Sequence, residues 1–93
     1  MLYRCEEWQI NGIWYCQHTA SFPKDVLMWV VPSRILNISP ADFLKLLLET
    51  YQPDRFYHNE DCSFCYWGWS DQSKMRKYKN WINAEARKVN FQI

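Results

Sequence analysis

The sequence predicts a single small α+β domain. Its sheet is mixed or antiparallel, of about five strands in the order ββ-β-α-ββ-α, with two helices on one face. Three observations carry this. Asn11-Gly12 sits between two alternating runs, Ser39-Pro40 marks a helix start, and residues 72–90 repeat apolar side chains at three- and four-residue spacing.

The first pair of strands is read at residues 2–9 and 13–20. Asn-Gly is the preferred two-residue turn of a tight hairpin, because both positions tolerate positive φ. With Asn11 and Gly12 at the turn, Ile10 falls opposite Ile13, Trp8 opposite Tyr15, Glu7 opposite Cys16 and Cys5 opposite His18. Cys5, Cys16 and His18 then share one face of the hairpin. Residues 26–31, a continuous apolar run before Pro32, predict a strand buried on both faces. Ser39 caps a helix over residues 40–51, with Pro40 in its first turn, Asp42 complementing the positive end of the dipole and Pro53 beyond its end. Phe43, Leu44, Leu47, Leu48 and Tyr51 form its apolar face. Residues 54–58 and 63–69 predict a second pair of strands around a polar turn at 59–61, with Gly68 at a bulge or close approach. Ser70 or Asp71 caps the last helix, whose core stripe is Met75, Tyr78, Ile82, Ala86 and Val89.

Composition narrows the function classes. Ninety-three residues hold one core. Aromatic residues make up 18% of the chain, six of them Trp. So large an apolar content reads first as core filling and second as a contact surface. Residues 1–70 carry five Lys/Arg against eight Asp/Glu, and residues 71–93 carry six against two, so a basic last helix sits on a mildly acidic body. No apolar run approaches the ~20 residues needed to span a bilayer. The N-terminus lacks the apolar core of a signal peptide. The expected setting is therefore cytoplasmic, the producing cell's own or a host's, where thiols stay reduced.

Two constellations carry possible chemistry. Cys62 and Cys65 have the two-residue gap of a zinc half-site, and Cys5 and Cys16, with His18 as substitute ligand, supply the other half. The alternatives for the four cysteines are buried free thiols, disulfides, or a thiol nucleophile with His18 or His58 as base. A thioredoxin-like role is disfavoured, since Cys62 precedes a strand-like run instead of opening a helix. Glycines for an oxyanion-binding loop are scarce, so catalysis is not expected. The second constellation is the polar side of the last helix: Arg76, Lys77, Asn80, Asn83, Arg87 and Lys88. Cations there attract phosphate or acidic protein surfaces, and the two asparagines add hydrogen-bonding groups.

The leading expectation is a non-catalytic binding module that engages a protein or nucleoprotein complex through the basic helix and an aromatic patch. Size and self-containment suit a phage or mobile-element accessory protein inhibiting a bacterial nucleic-acid machine such as CRISPR. The rival expectations are a zinc-stabilised nucleic-acid-binding domain and a thiol-dependent enzyme. No membrane partner is expected.

Overall fold

A computed structural model describes residues 5–18, 30–58 and 65–89. Strand β1 (Cys5–Ile10) turns at Asn11 and Gly12 into β2 (Ile13–His18). Both turn residues have positive φ, 51° and 81°, as the tight mirror-image turn requires. All four cross-strand pairs expected from the sequence occur, from Ile10 opposite Ile13 to Cys5 opposite His18. The second hairpin is β3 (Arg55–His58) and β4 (Cys65–Trp69), and β4 also pairs with β2. The described sheet has four strands in the order β1-β2-β4-β3, with every pairing antiparallel.

The expected strand at residues 26–31 is corrected where it can be seen. Residues 26–29 lie outside the described residues, but Val30 and Val31 open helix α1 (Val30–Leu36). Pro32 is no obstacle there, because the amides of a first helical turn have no acceptor within the helix. Pro32 is fully buried and Ile35 is part of the core. An unbroken apolar run has no period that separates a strand from a buried helix. Asn37, at φ 57°, ends α1, and the amide of Ile38 reaches the carbonyl of Ser33 at 3.0 Å.

Helix α2 (Pro40–Leu46) starts as expected, with the Ser39 hydroxyl accepting from the amide of Asp42 at 3.1 Å. It continues as a π turn (Leu47–Tyr51), closed by the amide of Gln52 on the carbonyl of Leu47 at 3.1 Å. Phe43 and Leu47 are fully buried, whereas Leu48, at the rim of the apolar stripe, is 44% exposed. Helix α3 (Gln72–Lys88) is capped by Asp71, whose carboxylate accepts from the amide of Ser73 at 2.8 Å. Ser70 instead donates its amide to Asp54 at 2.9 Å, which ties the entry of β3 to the end of β4.

Helices α2 and α3 lie on one face of the sheet. Tyr78 of α3 meets Trp67 and Trp69 of β4 at ring distances of 6.2 and 5.3 Å, and Phe43 of α2 meets Trp67 at 5.7 Å. Trp67, Trp69, Tyr78, Phe43, Met75 and Ile82 make the centre of the core. The Trp69 indole donates to the carbonyl of Tyr51 at 2.6 Å, fastening the π turn to β4. Val89, expected in the core stripe, is 55% exposed because α3 has already ended at Lys88. Gly68 is a close approach: a β-carbon there would stand 2.5 Å from the Tyr15 ring and 2.8 Å from the carbonyl of Trp14.

Candidate functional site

Helix α3 lies across β1 and β2, and this packing sorts its polar residues into three positions. Asn83 faces the sheet. Its Oδ1 accepts from the amide of Cys5 at 2.7 Å, and its Nδ2 donates to the Cys5 carbonyl at 3.1 Å. Both ends of the amide are used within the fold, so Asn83 leaves the set of residues expected to meet a partner. It staples α3 to the edge of the sheet.

Arg76 and Lys79 form the second position. Both reach the Glu7 carboxylate, Arg76 at 2.8 Å and Lys79 at 3.4 Å. The Arg76 hydrogen bond, with help from Lys79, holds the Glu7 carboxyl below its ordinary range. The same contact raises the already high pKa of Arg76. Lys79 was not among the expected site residues, because its place beside the core stripe hides its reach to β1. The three charges sum to +1, and Arg76 keeps 53% of its side chain exposed. Glu7 therefore orients the guanidinium without cancelling the positive field.

Lys77 and Asn80 form the third position, exposed on the outer side of the helix. With Gln72, Ser73 and Arg76 they line an open depression of about 430 Å³. Lys77 also borders a smaller depression of about 130 Å³ with Lys74, Thr50, Tyr51 and Gln52. Arg87 and Lys88 stand apart, about 15 Å further along the helix at 1.5 Å per residue. There they complement the negative end of the helix dipole, and Lys88 pairs with Glu85 at 3.1 Å.

Of the expected metal ligands, Cys62 lies outside the described residues, and Cys65 is placed only by its backbone pairing with His58. His18 is likewise placed only by its pairing with Cys5. Cys5 and Cys16 are buried free thiols under α3. The Cys16 thiol contacts the Met75 carbonyl at 3.9 Å. Burial, then the hydrogen bond with Cys16, pushes the Cys5 thiol far above its ordinary pKa. Among the described residues no three His, Cys, Asp or Glu side chains converge as a metal-binding group. Nor is any helix among them long and apolar enough to cross a membrane.

The aromatic residues divide between the two faces of the sheet. Trp67, Trp69 and Tyr78 are core, with Trp14, Tyr51 and Trp81 packed around them. Trp8 and Tyr15 stack on the other face of the hairpin at 5.2 Å, half-buried, beside Ile10, which is 53% exposed. No family model matches the chain, and no curated protein or solved structure matches it.

Proposed function

We propose that this chain is a small non-catalytic binding module. Its contact surface is the outer side of α3 next to β1, and its partner presents acidic groups. The observation that carries this reading is the pair Arg76 and Lys79 on a single carboxylate, Glu7, next to an open depression that Arg76 shares with Lys77 and Asn80. The cations exceed what the fold neutralises there; Glu7 orients Arg76 and Lys79, and the staple at Asn83 fixes the helix that carries them. Fixed cations of this kind steer acidic partners and set the register of docking. The two described thiols support the same direction. Nucleophilic chemistry needs a thiolate in a polar, accessible site, whereas Cys5 is buried and held protonated.

The test is titration of the folded protein with poly-glutamate and with single-stranded DNA across a salt series. Poly-glutamate should bind, and Lys77→Glu should slow association with little effect on the melting curve. Equal binding by a folded Lys77→Glu variant overturns the reading. If DNA binds instead, with a salt slope that drops by roughly one unit for each cation removed, the partner is a phosphate backbone.

A further inference from the structure

The edge of β1 has an unusual closure. A two-residue hairpin makes Ile10 and Ile13 a hydrogen-bonded pair, so Ile10, Trp8 and Glu6 exchange backbone bonds with β2. Cys5, Glu7 and Gln9 consequently present their N–H and C=O groups outward, away from the sheet. Asn83 answers the first of these three, with one acceptor and one donor set side by side on Cys5. A planar amide in that position reproduces what a neighbouring strand would offer. Among the described residues nothing pairs with the outward backbone groups of Glu7 and Gln9, and β1 is a terminal strand of the described sheet.

The two sides of this edge differ in chemistry. On the helix side stand Arg76 and Lys79 at Glu7, with Lys77 and Asn80 on the depression beyond. On the other side stand Trp8, stacked on Tyr15, and the exposed Ile10. Side chains of an added strand alternate between these two environments.

We propose that the edge of β1 at Glu7 and Gln9 is a strand-addition site for an extended segment of a partner protein in which acidic residues alternate with apolar ones. Its backbone bonds to the outward groups of Glu7 and Gln9, its acidic side chains face Arg76, Lys77 and Asn80, and its apolar side chains lie against Trp8 and Ile10. Main-chain bonds supply affinity in this mode, and the alternating environments supply specificity. Asn83 limits the site by filling the Cys5 end of the edge. A second copy of this chain is a poor occupant, because edge-to-edge pairing about a two-fold axis normal to the sheet places both α3 helices on the same side. Arg76, Lys77 and Lys79 of each copy would then face those of the other.

The inference rests on the acidic-partner reading above, and the experiment separates the two. The probe is an end-blocked heptapeptide alternating Asp and Val, measured by calorimetry on the full chain. Two further peptides carry N-methyl groups, one on every Asp amide and the other on every Val amide. In a strand, these two sets of amides point to opposite edges. One methylated peptide should therefore bind about tenfold more weakly than the parent and the other equally well, as expected for the loss of two hydrogen bonds. Gln9→Pro, which removes an outward amide without touching the bonds to β2, should give a similar loss. Equal binding by all three peptides, or no binding of the parent, overturns strand addition. Binding of poly-glutamate that Lys77→Glu weakens would then leave the acidic-partner reading standing alone. Concentration-dependent dimers of the unliganded protein, abolished by Gln9→Pro, would assign the edge to a second copy and also overturn the proposal. If Gln9→Pro does not fold, the methylated pair still decides.

Discussion

Asn83→Ala is the most informative single substitution in this fold. Asn83 makes two hydrogen bonds to the backbone of Cys5, at 2.7 and 3.1 Å, in a half-buried setting. Each such bond contributes a net ~0.5–1.5 kcal/mol, and truncation leaves the Cys5 groups without their partner under the helix, so the loss is about 2 kcal/mol. For a domain of this size, each kcal/mol moves the midpoint by roughly 4–8 °C, so Tm should fall by roughly 8–16 °C. Thermal and urea denaturation measure the loss, and hydrogen exchange at the Cys5 amide localises it. The control is Asn80→Ala on the exposed side, which should stay within about 0.5 kcal/mol of the parent. Asn83→Asp adds a second check. It keeps an acceptor for the Cys5 amide but sets an oxygen against the Cys5 carbonyl, so its deficit should ease as acid protonates the new carboxyl. If Asn83→Ala melts with the parent and Cys5 exchange is unchanged, the staple is not part of what holds α3 to the sheet.

Three other outcomes follow from the packing. Gly68→Ala should destabilise by about 1–3 kcal/mol, because the added carbon meets the Tyr15 ring at 2.5 Å and the Trp14 carbonyl at 2.8 Å, and adding Tyr15→Ser should relieve only the part due to the ring. The lowered pKa of Glu7 means that its ion pairs stabilise the fold fully above the ordinary glutamate value, about 4.5, and that this is lost as pH falls through the folded-state value. The stability gap between the parent and Glu7→Gln should therefore be widest near neutrality and close in acid, with added salt narrowing it throughout. In a Cys62→Ser/Cys65→Ser variant, Cys5 and Cys16 should react with a thiol reagent only as fast as the protein opens, since both are buried and burial holds the Cys5 thiol protonated. Rapid labelling of the native variant at mildly alkaline pH would refute this.

What the sequence determined by itself is local. Asn11-Gly12 set the turn, and the turn set the register of every pair in the first hairpin, because a two-residue loop leaves no freedom to slip. Ser39 marked its helix start, and Ser70-Asp71 marked the start of the last helix to within one residue, the structure choosing Asp71. The period of Met75, Tyr78, Ile82 and Ala86 named the buried side of α3. Residues with two local readings were settled only by tertiary structure. Val30 and Val31 became helical, since an apolar run fits a strand or a buried helix equally well. Asn83 was legible as polar and flanking the core stripe, but its role needed the outward groups of Cys5 to lie within reach. That depends on α3 crossing the edge of a sheet whose strand order no local signal specifies. The division of the basic residues has the same cause. Arg76 and Lys79 are tied to Glu7, almost seventy residues or more distant in sequence, while Lys77 on the next step of the helix stays on the outer surface. Neighbouring positions on a helix differ by ~100° in direction, so the packing angle of the helix, absent from its sequence, decides which cation is structural and which is left to a partner.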